Sequence, residues 1–152
     1  MKKYLVITLL AFFAWQQWHQ MGHTTAPVIS VPSGNFGNLC AGLMAHASGL
    51  PLQQFIAACH ANDAHPEYLK SLQYQPKKAV PTISNAMDVG SPSNFVRILE
   101  LFAKDHGKMA ATIAGYSISD EITKQTIAAV YQRDGYMLNP HGAVAYQALE
   151  QY

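Results

Sequence analysis

The sequence predicts an α/β layered domain, and three observations predict it. First, Val28-Ile29-Ser30-Val31 forms an apolar run that stops at Pro32. Ser33-Gly34-Asn35-Phe36-Gly37-Asn38 follows, and Leu39 to Ser48 then reads as a helix. Second, Gln54 to Cys59 is an apolar run of strand length, as expected of a strand buried on both faces. Third, helical patterns with recognisable ends alternate with extended stretches through the rest of the chain. Strand, helix, strand over this length is a βαβ unit, whose crossover is right-handed.

Taken in order, Lys2 and Lys3 precede an apolar run from Tyr4 to Trp15 that only Thr8 interrupts. The layout resembles a secretory signal. However, Trp15-Gln16-Gln17-Trp18-His19-Gln20 follows where a small-residue cleavage site would stand. The run is also shorter than the roughly 20 apolar residues of a membrane span. The expectation is a buried helix within residues 1–26, ahead of a domain at 27–152, with a signal and a secreted protein as the alternative. Met21 to Pro27 reads as a polar turn. In the helix after the glycine stretch, Leu39, Leu43 and Ala47 share a face, Gly42 and Ala45 permit close packing, and Gly49 and Pro51 end it.

His60-Ala61-Asn62-Asp63 is a polar loop at the carboxyl end of the second strand, the edge where open α/β sheets bind ligands. Pro66 opens a short helix to about Leu72, and Gln73 to Pro81 is irregular. Thr82-Ile83-Ser84 reads as a short strand and Asn85 to Ser91 as a loop. Pro92 opens a helix capped by Ser91 and ended by Gly107, with Phe95, Ile98, Leu99 and Phe102 facing the core. Ala114 to Ser117 is extended. Ser119 caps a helix with Asp120 and Glu121 in its first turn; Ile127, Val130 and Tyr131 form its apolar face, and Gly135 stops it. Asn139-Pro140-His141-Gly142 leads into a last helix, where Ala145, Ala148, Leu149 and Tyr152 share a face.

Composition narrows the function. Charged residues make up only 12% of 152 residues and hydrophobic ones 49%. A surface so poor in charge is one that further protein covers, as against a neutral, alanine-rich small domain. A net charge of +1 leaves no basic footprint for nucleic acid. Cys40 and Cys59 have no Cys-x-x-Cys spacing and read as buried free thiols of a reducing compartment. His60 and His65 read as solvent-facing loop residues, and a metal site is disfavoured because no third ligand has matching spacing. His46, His106 and His141 read as helix-surface or helix-end residues.

The chemistry sits in Ser33 to Asn38. A strand, a glycine-rich turn and a helix N-terminus together present free N–H groups to an anion. No Gly-Lys-Ser/Thr follows, so the turn is not a P-loop. Nor does an acidic residue end the second strand to hold a ribose. Asn35 and Asn38 can add amide donors or fix the turn. A tight strand-to-helix turn with no ligand is the alternative.

Val28 to Asn38 followed by the Ala41-Gly42-Leu43 helix resembles the phosphate loop of the threonine synthases, pyridoxal-phosphate enzymes of fold type II. The resemblance to that family continues through Ile83 to Gly90, Pro92 to Glu100, Ser117 to Glu121 and Pro140 to Tyr146. The resemblance runs from about Ala11 to Tyr152. It implies a three-layer α/β sandwich with a mostly parallel sheet, like the tryptophan synthase β chain. It implies pyridoxal phosphate as cofactor and conversion of O-phospho-L-homoserine and water to L-threonine and phosphate, in the cytoplasm. Gly34, Asn35, Phe36, Gly37 and Asn38 match the cofactor-phosphate loop. Ser84, Asn85 and Asp88 match an active-site loop as polar contacts, with a turn or cap role as the alternative for Asp88. The family's Schiff-base lysine lies far upstream of the loop. Here only Lys2 and Lys3 precede it, neither in a matching motif, so no catalytic residue is assigned. The expectation is a domain incomplete at both ends and inactive alone, completed by the remaining segments of the enzyme or a second subunit. His60 stands where the family has asparagine, and His65 where it has an aliphatic residue. Alternatives are another fold type II enzyme, such as an amino-acid dehydratase or a sulfhydrylase, or a non-catalytic phosphate- or nucleotide-binding module. The match over Asn85 to Gly90 argues against another fold type II enzyme.

Overall fold

The computed structural model describes the backbone of residues 2–152 and the side chains of residues 5–152. Its helices are α1 (Lys2–Gln20), α2 (Gly37–Ala47), α3 (Ala64–Ser71), α4 (Phe95–Leu101), α5 (His106–Thr112), α6 (Asp120–Asp134) and α7 (Pro140–Glu150). Its strands are β1 (Val28–Pro32), β2 (Gln54–Cys59) and β3 (Ile113–Ser117). They form one parallel sheet in the order β1-β2-β3, with Ile29 beside Phe55 and Phe55 beside Ile113.

The side-chain alternation of β2 makes the three layers. Phe55, Ala57 and Cys59 point into a core with Leu39 and Leu43 of α2, Ile98 of α4 and Met109 of α5. Ile56 and Ala58 point the other way, into a core with Met87, Ile118, and Val144 and Ala148 of α7. A central strand covered on both faces has no polar side to show, which is why its sequence is a continuous apolar run. Cys40 and Cys59 are buried free thiols.

Helix ends follow the sequence where a side chain can cap. Ser119 Oγ accepts from the Ile122 N–H at 3.2 Å, and Asn139 Oδ1 accepts from the Gly142 N–H at 2.8 Å. Gly135 ends α6 at φ 68°.

Several expectations are corrected. Thr82-Ile83-Ser84 forms no strand, because side chains take the N–H groups a sheet would need. Asp88 accepts from Thr82 at 3.1 Å, Asp120 from Ile83 at 3.2 Å, and Thr82 Oγ1 from Ser84 at 3.2 Å. The helix expected from Pro92 starts at Phe95, and Ser91 does not cap it; Pro92 instead closes a single turn, its carbonyl accepting from the Phe95 N–H at 3.1 Å. Gly107 is no stop. α4 ends at Leu101, Ala103 and Lys104 follow at φ 51° and 61°, and Gly107 lies inside α5, whose cap is Asp105. In α6 the buried residues are Thr123, Thr126 and Val130, whereas Tyr131 is exposed. In α7 Val144 joins Ala145 and Ala148 inside, whereas Leu149, and Tyr152 beyond the helix end, lie near half exposure.

The apolar N-terminal run is a helix, but it is not buried. α2 is its main partner, with Thr8 Oγ1 donating to the Ala41 carbonyl at 3.1 Å. Leu5, Val6, Leu9, Leu10 and Phe13 stay bare on its other side. Met1 and the side chains of Lys2 and Lys3 lie outside the described residues. No helix of the described residues is long and apolar enough to cross a membrane.

Candidate phosphate-binding cleft

β1 makes its last ladder bond at Ser33, whose N–H donates to the Ala58 carbonyl at 2.8 Å. The chain then turns through Phe36, at φ 58° and ψ 18°, into α2. The first bond of that helix runs from the Cys40 N–H to the Phe36 carbonyl, at 2.9 Å. Among the described residues, nothing in the chain accepts from the backbone N–H of Gly34, Asn35, Phe36, Gly37, Asn38 or Leu39. These donors stand at the carboxyl edge of a parallel sheet and at the positive end of α2. Gly34 to Asn38 line an open cleft of about 330 Å³, together with Pro32, Ala86, Met87 and His141.

The loop is held from outside. A phenylalanine in the left-handed region costs about 1–3 kcal/mol, so packing must enforce it. The ring of Phe36 is buried in the core and lies 5.2 Å from the His65 ring, so this residue offers the cleft its backbone. Asn35 is tied down rather than free: Oδ1 accepts from the Ser93 N–H at 2.6 Å and from Ser93 Oγ at 3.0 Å. Gly34 lies against Met87 so closely that an added Cβ would sit 2.5 Å from the Met87 Cα. Gly37 is the opposite case, with only Asn94 Nδ2 near an added Cβ, at 3.7 Å. Asn38 is exposed on the cleft wall.

The second group of sequence candidates stands behind the cleft. Asp88 accepts from Thr82 Oγ1 at 2.7 Å and from Asn62 Nδ2 at 3.2 Å, and its Oδ1 lies 3.1 Å from His60 Nε2. It fastens the Thr82–Asp88 segment to the end of β2. Ser84 is buried and its Oγ has no partner, whereas Asn85 is exposed and begins a single 3₁₀ turn, Asn85–Met87. The cleft meets Ala86 and Met87 of that turn. His141, read from sequence as a helix end, is one, and it also lines the cleft. Its Nε2 accepts from the Ala86 N–H at 3.3 Å, which leaves the ring proton of the neutral form on Nδ1. The Asn139-Pro140 helix start places residue 141 in the first turn of α7, but nothing in the sequence shows that this turn faces the loop.

His60 and His65 are corrected: both are buried, not solvent-facing. His60 Nδ1 accepts from the Asn62 N–H at 3.1 Å, so its proton sits on Nε2, which lies 3.1 Å from Asp88 Oδ1 without the alignment of a hydrogen bond. Burial lowers its pKa, with Asp88 opposing the shift. Among the described residues His65 has no hydrogen-bond partner on either nitrogen, and burial pushes its pKa down to about 4. Below pH 6.5 the unfolded chain takes up a proton at this residue that the native chain refuses until about pH 4. Stability therefore falls as pH falls through that window, by about 3 kcal/mol for this residue. Urea midpoints at pH 7, 5 and 4 are expected to drop in step, and His65→Leu to flatten much of the slope. An equal slope in the variant would clear His65 of the effect.

Residues 3–152 match a sequence family described as pyridoxal-phosphate dependent enzyme. The chain is 50% identical over 123 residues to threonine synthase of Haemophilus influenzae, covering 81% of this chain and 28% of that protein. It superposes on a crystal structure of threonine synthase from yeast with a TM-score of 0.89 at 27% identity, covering 97% of this chain and 36% of that one. A threonine synthase from Brucella melitensis with pyridoxal phosphate bound gives 0.86 at 26% identity, covering 95% and 36%. The chain thus spans about 28% of the length of the Haemophilus relative.

Proposed function

The chain belongs to the pyridoxal-phosphate-dependent enzymes, and from that membership we propose that its cleft holds the cofactor's phosphate, in a polypeptide that forms part of a threonine synthase. The substrate is then O-phospho-L-homoserine, which with water gives L-threonine and phosphate. One observation carries the assignment. Unspent N–H groups run from Gly34 to Leu39, and of these residues Gly34 to Asn38 line one cleft at the N-terminus of α2. That donor set fits a phosphate dianion, because it supplies both hydrogen bonds and a positive partial charge with no net cationic side chain.

Pyridoxal phosphate supplies the electron sink for bond changes on an amino-acid substrate. The residues of this chain bind and orient. The loop N–H groups anchor the phosphate, Asn38 adds a side-chain amide, and Gly37 leaves room for the ligand to reach the backbone. His141 closes the far wall and holds the Asn85–Met87 turn through Ala86. Asn85, exposed at the start of that turn, contacts substrate, while Ser84 and Asp88 set the turn's position. Among the described residues no lysine lines the cleft. We assign the lysine that carries the cofactor covalently to the remaining segments of the enzyme or a second subunit, a reading supported by the chain's span of about 28% of the Haemophilus relative. Residues 27–152 form the cofactor-phosphate domain, with α1 in the segment 1–26 that flanks it. The chain alone is inactive and works in the cytoplasm, a placement that its two buried free thiols support.

Gly37→Ala tests the cradle, since the new Cβ has space in the ligand-free chain and stands where a phosphate must approach. We expect an unchanged melting temperature and about tenfold weaker binding of inorganic phosphate and pyridoxal phosphate by calorimetric titration, roughly the worth of one hydrogen bond to a charged group. Equal affinity in the variant would remove the loop as the binding site. A visible absorbance fixed by borohydride onto a lysine of this chain would overturn the assignment of that lysine elsewhere.

A further inference from the structure

We propose that Asn94 is the positioning residue of the phosphate loop, a proposal that rests on the cofactor-phosphate assignment above. Asn94 immediately precedes α4, where an asparagine ordinarily caps its own helix. Its side chain caps nothing there. Instead it crosses to the loop, and Nδ2 donates to the Asn35 carbonyl at 2.8 Å. The residue is buried, so this amide is committed to the protein interior.

Arg97 decides which way the amide faces. Its Nη1 donates to Asn94 Oδ1 at 2.7 Å. A guanidinium can only donate, so the oxygen end must face Arg97 and the NH₂ end must face Asn35. One residue earlier, Ser93 donates its N–H and its hydroxyl to Asn35 Oδ1. The start of α4 thus grips Asn35 by side chain and main chain together.

The residue that follows this grip is Phe36, in the left-handed region. Without the grip, the Asn35–Phe36 peptide is free to rotate toward an unstrained conformation. That rotation would swing the Phe36 and Gly37 N–H groups out of the row that faces the cleft. Asn94 acts through Asn35 and does so at close quarters, its Nδ2 standing 3.7 Å from where a Cβ on Gly37 would lie.

The test uses the full chain, with three variants and two readouts. The first readout is the backbone resonances of Asn35 to Gly37 in the ligand-free chain. The second is the affinity for inorganic phosphate and for pyridoxal phosphate. Asn94→Ala is expected to move the loop resonances, leave those of β2 in place, and weaken both ligands about tenfold, roughly the worth of one hydrogen bond to a charged ligand's anchor. Arg97→Lys keeps the charge but loses the fork that orients the amide, and is expected to fall between wild type and Asn94→Ala. Ile98→Val thins the packing of α4 without touching the amide, and should lower the melting temperature while leaving affinity unchanged. Unmoved loop resonances in Asn94→Ala, or an equal affinity loss in Ile98→Val, would overturn the proposal. If wild type binds neither ligand while Asn94→Ala still moves the loop, the cofactor assignment falls and the positioning role stands.

Discussion

Gly34→Ala is expected to remove pyridoxal phosphate binding and to destabilise the chain at the same time. The added Cβ would meet the Met87 Cα at 2.5 Å and the Met87 carbonyl oxygen at 2.8 Å. Both are backbone atoms, so no change of rotamer relieves the clash. Either the glycine loop or the Asn85–Met87 turn must move, and together they form the two walls of the cleft. Overpacking of this kind costs about 1–3 kcal/mol. In a chain of this size that lowers the melting temperature by several degrees, at roughly 2–4 °C per kcal/mol. Affinity should fall by at least about a hundredfold, because more than one phosphate contact is displaced. A melting scan and a titration on the same sample check both effects. A variant that melts and binds like wild type would show that the walls do not pack as described. The contrast with Gly37→Ala, where only binding should change, separates a glycine needed by the fold from one needed by the ligand.

The largest effect on stability is expected from Phe55→Ala. Phe55 is fully buried near the start of β2, the central strand, between Ile29 and Ile113 on the neighbouring strands. Its ring lies so close to α2 that a Cβ on Gly42 would stand 2.8 Å from it. Truncation of a buried phenylalanine costs about 3–5 kcal/mol, a large share of the 5–15 kcal/mol that holds a typical domain together. The urea midpoint should fall accordingly, with the native signal already incomplete in water if the chain sits at the low end of that range. Gly42→Ala alone should also destabilise, by pressing on the ring. In the double variant the new methyl group occupies part of the space the ring has left. The two changes together should therefore cost less than their sum, by about 1 kcal/mol or more. Strict additivity would mean that ring and glycine do not touch.

What the sequence shows of this fold, it shows through local rules. β1, α2 and β2 are legible because apolar runs, a glycine turn and helical spacing each act over a few residues. Ser119 is legible because a cap bonds three residues on. The Thr82–Asp88 segment is not legible, because the partners that keep it out of a sheet come from Asn62 and Asp120 as well as from Asp88. α4 is misread for a related reason: Asn94 and Ser93 spend their hydrogen bonds on Asn35, far away in sequence, so the ordinary start signal at Ser91 and Pro92 is overridden. His60 and His65 look like surface residues because charge and loop position suggest water, whereas only the folded chain closes over them. At the cleft, the glycine loop reads directly from its pattern. His141 does not, because its neighbour across the cleft, Ala86, is a backbone N–H with no signature of its own.

The order β1-β2-β3, with every pairing parallel, also governs how the chain reaches its native state. Parallel neighbours cannot be joined by a hairpin, so no strand pair can zip up from a local turn. β2 must wait for α2 to carry the chain back from β1, and β3 arrives only after the whole stretch from Ala64 to Thr112 has been laid down. Loops of that length close late and make folding slow. Throughout the delay β2 is an unprotected apolar ribbon, and a second copy can pair with it as readily as its own neighbours can. Yield on refolding should therefore depend steeply on protein concentration.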